Sequence, residues 1–253
     1  MSSFFMALSF LTIFPWWGNT QGNEEDMARS LYFYPVVGGL LGGVLAAVYL
    51  WADYLALGIA GAGLVVVLWM VFTGGLHTDG LMDAADSFFS GKSPREKLEI
   101  MRDSRVGAMG VMALLGVVLL KFVFLDALPL TEAVAALILA PMVGRLAMVW
   151  AISRYAYARS EPGLGGCFGE KRPLKPFYLG CIVLIVVAFL VNYLILEFTM
   201  LPFLWVLIVL LLAMGKASMI AKNIGGHTGD TYGFLGEISE MLLLITMAIG
   251  MSI

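Results

Sequence analysis

The sequence predicts an all-α fold: a polytopic integral membrane helical bundle, one domain over residues 1–253 with about seven transmembrane helices. Three observations predict it. Hydrophobic residues make up 60% of the chain and charged residues 13%, with a mean hydropathy of +0.92, whereas soluble domains are about 45–50% apolar and about 25% charged. The apolar residues fall in runs long enough to cross a bilayer core, which takes roughly 20 residues per helix. The lysines and arginines collect in a few separated connections.

Taken in order, the apolar runs at about 35–51, 55–73, 106–125, 132–152, 178–196, 201–221 and 241 to the end each read as a span, the last being shorter. Ahead of them, MSSFFMALSFLTIFPWW lacks the basic n-region and small-residue cleavage site of a signal peptide, so it reads as a re-entrant or eighth helix. No low-complexity linker and no period of 20–50 residues divides the chain. Trp16, Trp17, Tyr32, Tyr34, Trp51, Tyr54, Tyr155 and Tyr157 lie near span ends and read as interfacial anchors. Cys167 and Cys181 are too far apart for a CxxC motif and read as buried thiols. The small-residue run GGLLGG at 38–43 suits helix packing within the chain or between copies of a homo-oligomer equally.

Orientation follows from the basic residues, because positive charge at helix ends favours the cytoplasm. Residues 74–105 hold Lys92, Arg95, Lys97, Arg102 and Arg105; residues 153–177 hold Arg154, Arg159, Lys171, Arg172 and Lys175; Lys216 and Lys222 mark a third cluster. With seven spans all three emerge on one face, expected to be the cytoplasmic face of the inner membrane. Separated clusters, in a chain of net charge −3, do not form the continuous basic stripe of a nucleic-acid binder, so no nucleic-acid partner is expected beside the lipid bilayer.

On that face the scarce charges take a pattern. GGLHTDGLMDAADSFFSG, residues 74–91, places Asp79, Asp83 and Asp86 at i, i+4 and i+7. If the helix ending near Phe72 continues through the motif, they share a face about 60° wide. Like charges at that spacing repel, and each carboxylate at membrane depth costs roughly 2.5–3.5 kcal/mol. A divalent cation compensates for them; a solvated acidic helix end is the bland alternative, and Leu81, Met82 and Ala84 between the acids argue against it. Oxygen-only ligands with open positions suit magnesium better than zinc. GGHTGDTYGFLGEISE, residues 225–240, repeats the form and adds Asp230, Glu237 and Glu240, although glycines and acids recur in membrane loops by chance as well. In EIMRDSRVGAMG, residues 99–110, Arg102 and Arg105 flank Asp103 and read either as positive-inside anchors or as bidentate phosphate ligands. Magnesium, arginine and carboxylates together describe phosphoryl transfer, and the sequence has no GxxxxGK[ST] loop.

These motifs carry a resemblance that runs nearly end to end. ALSFLTIFP and FYPVVGGLLGG are followed by GGLHTDGLMDAAD, LEIMRDSRVGAMG, GR at 144–145, YAYAR at 155–159 and GGHTGDTYGFLGEISE, and in this order they resemble the cobalamin synthase family, adenosylcobinamide-GDP ribazoletransferase. One departure is Ile13, where the family often has an arginine; it removes the expectation of a phosphate contact from the N-terminal segment.

The resemblance implies a membrane-embedded catalytic domain that joins α-ribazole, or α-ribazole 5′-phosphate, to adenosylcobinamide-GDP and releases GMP, with Mg2+ required. It implies Asp79, Asp83, Asp86, Asp230, Glu237 and Glu240 as the metal-binding set, and Arg102, Asp103, Arg105, Arg145, Arg159 and Lys222 as candidate substrate-binding residues. Asp86, Glu240 and His77 are the candidates for a catalytic base, with His77 also readable as a hydrogen-bonding neighbour of the site; an ionised 5′-phosphate would need no base. Some of the aromatic residues at span ends would then lie against the corrin. Two other families use magnesium and aspartates in a membrane bundle. A CDP-alcohol phosphatidyltransferase opens its motif DGxxAR, where this chain has DGLMDAAD, and a membrane prenyltransferase opens Asn-Asp where this chain has Thr-Asp. A magnesium-coupled transporter would place its acids mid-span.

Overall fold

The computed structural model describes residues 3–14, 24–159, 173–196 and 200–251, and among them every regular element is a helix. A short α1 (Ser3–Leu11) and α2 (Glu24–Ser30) precede α3 (Tyr34–Tyr54). Then come α4 (Ile59–Phe72), α5 (Leu76–Phe88), α6 (Pro94–Ile100) and α7 (Ala108–Asp126), followed by α8 (Leu130–Arg154), α9 (Lys175–Ile195), α10 (Leu201–Ile224) and α11 (Gly229–Met251). Six helices are long and apolar enough to cross a membrane, and α4 with α5 makes a seventh apolar stretch bent by 88°. The predicted count of about seven is met. At nine residues α1 is too short to cross a bilayer, and it packs on α2 and α3. Trp16, Trp17 and Cys167 lie outside the described residues, and Cys181 is half-buried in α9.

The bundle is organised around α8, which is buried along 89% of its most apolar stretch. Alanines and a glycine dominate its buried positions, among them Ala133, Ala136, Ala140, Gly144 and Ala147, and small residues let helices approach closely where lipid gives no hydrophobic drive between them. Two glycines of the 38–43 run are used within the chain: a Cβ on Gly38 would stand 2.6 Å from the Pro141 carbonyl oxygen, and one on Gly42 would collide with the Leu137 carbonyl. Pro141 inside α8 has no N–H for that Leu137 carbonyl, so the gap in the hydrogen-bond ladder coincides with a close approach of α3.

Following the chain through these spans, the start of α3, the end of α4, all of α5 and α6, the start of α7, the end of α8 and the α10–α11 turn fall at one end of the bundle. The first acidic motif, the Arg102–Arg105 segment and the start of the second acidic motif lie there. The last span is longer than its hydropathy suggests: α11 begins at Gly229 rather than near 241, because Glu237 and Glu240 lower the hydropathy of a stretch that is nonetheless helical and buried.

Candidate active site

Two paired glycines build the site by stopping helices. The helix of α4 does not continue through the first motif. Gly74 and Gly75 take φ of 63° and 70°, a left-handed backbone that favours glycine, and Thr73 Oγ1 donates back to the Met70 carbonyl at 3.0 Å. The chain turns and restarts as α5, which carries Asp79, Asp83 and Asp86 on one face as the spacing predicts, in a separate helix. In the second motif Gly225, with φ 79°, ends α10. Its neighbour His227 then pairs with the segment after α8: His227 N–H donates to the Ala156 carbonyl and Ala158 N–H to the His227 carbonyl, each at 2.8 Å.

The two restarted helices cross each other through reciprocal glycines. A Cβ on Gly80 would meet the Asp230 carbonyl oxygen at 2.8 Å, and one on Gly233 would meet the His77 carbonyl oxygen at 2.9 Å. The repeated sequence form thus has a structural meaning, since each motif supplies the small residue against which the other packs. The crossing brings Asp230 beside the α5 acids, and Asp83 is repelled by Asp79, Asp230 and Asp86 and attracted by Arg159. Arg159 donates to Asp230 Oδ2 at 2.7 Å, and Thr228 Oγ1 donates to the same oxygen at 3.2 Å.

Asp79, Asp230 and Arg159 stand at the rim of a cavity of about 190 Å³ whose other walls are Phe10, Tyr34, Met148, Ile152, Tyr157 and Tyr232, with His77 and Leu76. Arg159 also borders an open cleft of about 320 Å³ lined by Arg95, Glu99 and Arg102. An acidic group and an arginine-lined cleft therefore share one guanidinium. Among the described residues no group of three or more His, Cys, Asp or Glu side chains is close enough to cage a metal ion. The donor chemistry still fits magnesium, which keeps several waters and is held by one or two carboxylates plus substrate phosphates rather than by an all-protein cage.

The other predicted site residues are placed differently. Asp86 accepts from the amides of Gly107 and Gly110 at 2.7 and 2.8 Å, so its carboxylate holds the start of α7. Glu237 and Glu240 lie deeper: Lys121 donates to Glu237 at 2.7 Å and to Glu240 at 2.5 Å, and Arg145 pairs with Glu240 and reaches His77 Nδ1 at 3.3 Å. Lys121 also sits 4.3 Å over the Trp69 ring. Two cations and two anions thus neutralise each other in the interior, and neither glutamate lines the cavity. Asp103 and Arg105 form an exposed bidentate pair, and the guanidinium pulls the Asp103 carboxyl down to about 2. Lys222 is exposed in the last turn of α10 and borders neither the cavity nor the cleft.

Sequence reasoning missed Lys121, although a lone lysine in an apolar span of 19 residues is itself a signal for an interior partner. It also read Tyr34 as an interfacial anchor. Tyr34 is fully buried, because it begins α3 where α1 packs over it and its ring stacks on Phe10 at 6.3 Å. Tyr232 and Phe10 gave no signal, being single aromatic residues in apolar or motif context.

The fold defines a polytopic membrane protein, and at one end of its helices carboxylates and arginines meet. A profile of the cobalamin-5-phosphate synthase family matches residues 3–248, and the chain belongs to that family and is a transferase of cobalamin synthesis. The adenosylcobinamide-GDP ribazoletransferase of Desulforamulus reducens is 46% identical over all of this chain and 98% of its own length. Those of Roseiflexus sp. and Acetivibrio thermocellus are 38% and 34% identical, over 96% and 95% of this chain and 88% and 94% of their own lengths. No solved structure matches the chain.

Proposed function

We propose that the protein transfers adenosylcobinamide phosphate from adenosylcobinamide-GDP to α-ribazole or α-ribazole 5′-phosphate, yielding adenosylcobalamin or its phosphate and GMP, at the cytoplasmic face of the inner membrane. The observation that carries this reading is the meeting of Asp79 and Asp230 with Arg159 at the junction of the cavity and the arginine-lined cleft, with Asp83 close enough to feel the charge of all three. In the reaction a free ribose hydroxyl of the acceptor, not the 5′ oxygen that carries the phosphate in α-ribazole 5′-phosphate, forms a bond to the phosphorus attached to cobinamide. The phosphoanhydride bond to GMP breaks, and GMP leaves with the bridging oxygen.

Asp79, Asp83 and Asp230 would hold Mg2+, which when bound neutralises diphosphate charge and stabilises the leaving group. Arg159, tethered to Asp230, and Arg102 across the cleft supply guanidinium donors for phosphate oxygens. Asp86, engaged with two backbone amides, keeps α7 in place against α5. The proton of that hydroxyl passes to a carboxylate at the rim, where Asp79 is exposed. The test is purified protein in lipid vesicles with adenosylcobinamide-GDP and α-ribazole, with and without magnesium, beside Asp83→Ala. GMP release that requires magnesium, is matched by corrinoid product and is lost in the variant supports the reading; magnesium-independent or unchanged turnover in the variant overturns it.

A further inference from the structure

The cavity beside the acids is small, and among the described residues two of its lining side chains, His77 at Nε2 and Arg159 at Nε, have a buried nitrogen without a hydrogen-bond partner. His77 is 2% exposed, forms part of the wall, and has no hydrogen-bond partner at Nε2. Its other nitrogen, Nδ1, faces the Arg145 guanidinium at 3.3 Å. A guanidinium only donates, so Nδ1 accepts and the ring proton sits on Nε2. Arg145 is in turn fixed by Glu240, and Glu240 by Lys121. The interior ion cluster thus holds the imidazole as an Nε2–H donor and leaves that donor without a partner among the described residues. A buried donor left unsatisfied costs about 1–3 kcal/mol, and His77 is one of the side chains that line the cavity.

We infer that this cavity is the subsite for the acceptor's heteroaromatic base, and that His77 Nε2–H donates to the base's unsubstituted ring nitrogen. The inference rests on the transfer reaction proposed above. At about 190 Å³ the space is below the roughly 300–1,000 Å³ of a drug-sized site and cannot enclose a corrin macrocycle. Tyr34, Tyr157 and Tyr232, with Met148 and Ile152, give it aromatic and apolar walls that suit a planar ring. Asp79, Asp230 and Arg159 lie at the rim, so a base seated against those walls directs its ribose toward the groups that would receive the attacking hydroxyl. The larger, more open cleft at Arg95 and Arg102 is then left for the nucleoside diphosphate of the other substrate. His77 is a specificity-determining contact in this account, not a base: its Nε2 already carries a proton, and its Nδ1 lone pair is taken by Arg145.

The test uses two acceptors, the ribosides of benzimidazole and of indole, which differ in that indole replaces the unsubstituted ring nitrogen with C–H. GMP release from full-length protein in vesicles, at saturating adenosylcobinamide-GDP and magnesium, gives kcat/KM for each. The wild type is expected to prefer the benzimidazole riboside by roughly tenfold, about the worth of one hydrogen bond to a buried donor. His77→Phe should bring that ratio close to one while leaving the KM for adenosylcobinamide-GDP unchanged, and His77→Gln, which keeps an N–H near the Nε2 position, should restore part of it. The ratio is internal to each variant, so partial misfolding does not move it. Equal use of the two ribosides by the wild type, or a preference that survives His77→Phe, overturns the inference while the transfer reaction stands. Absence of GMP release with either riboside and with α-ribazole itself instead overturns the reaction on which it rests.

Discussion

Single residues at this site divide by whether their charge is already satisfied. Lys121 answers Glu237 and Glu240 in the interior, and removing one partner of a buried ion pair costs about 3–5 kcal/mol because the other charges stay buried. Lys121→Met should therefore lower the melting temperature in detergent sharply, and adding Glu237→Gln should recover much of the loss; a single variant as stable as the wild type contradicts the pairing. The exposed Asp103–Arg105 pair is the opposite case, and Arg105→Ala should leave the melting temperature unchanged. His227 lies in the turn before α11, and burial pushes it down to about 4 from its usual 6.5. The unfolded chain then takes up a proton before the folded one does. Stability is full above about pH 6.5 and declines by up to roughly 3 kcal/mol as the pH falls toward 4. Thermal melts at stepped pH should show that slope, flattened in His227→Gln.

At the level of elements, the crossing of α5 and α11 is what turns two separate motifs into one site. Gly80→Ala would place a methyl against the Asp230 backbone, and backbone cannot yield as a side-chain end can. That variant should lose at least tenfold in kcat/KM by moving the acids apart, whereas Gly43→Ala, with nothing within 4 Å, should behave as wild type. The sequence made much of this legible. Runs of apolar residues gave the spans to within a few positions, since burial in lipid and helix periodicity act locally. The helical spacing of Asp79, Asp83 and Asp86 placed them on one face correctly, although the glycine pair meant that α5 was a new helix. The start of α11 was not legible, because hydropathy averages treat Glu237 and Glu240 as solvent-seeking and cannot see that Lys121 and Arg145, more than 90 residues away, neutralise them. The cavity was hidden for the same reason, as its walls come from α1, α3, α5, α8 and α11, and pattern within one segment carries no information about such a meeting.

For the whole molecule, the arrangement of spans sets the described residues of the basic clusters and Asp79, Asp83, Asp86 and Asp230 at one end, with short connections at 55–58 and 127–129 at the other. A cysteine at exposed Gly91 should react with a membrane-impermeant maleimide in inside-out vesicles only, and one at exposed Tyr54 in right-side-out vesicles only; the reverse pattern would invert the orientation. Division of labour along the membrane normal follows from that layout. In the proposed reaction the acids at the rim are those that would hold magnesium, while Glu237 and Glu240, about two and three turns further along α11 than Asp230, are held by Lys121 and Arg145. The magnesium dependence of GMP release tests this division most directly, measured for the wild type, Asp83→Asn and the Lys121→Met/Glu237→Gln double variant. The account predicts that Asp83→Asn abolishes turnover or shifts the magnesium requirement by at least tenfold and that the double variant keeps the wild-type requirement; a shifted requirement in the double variant with an unchanged one in Asp83→Asn would place the metal on the deeper acids and contradict it.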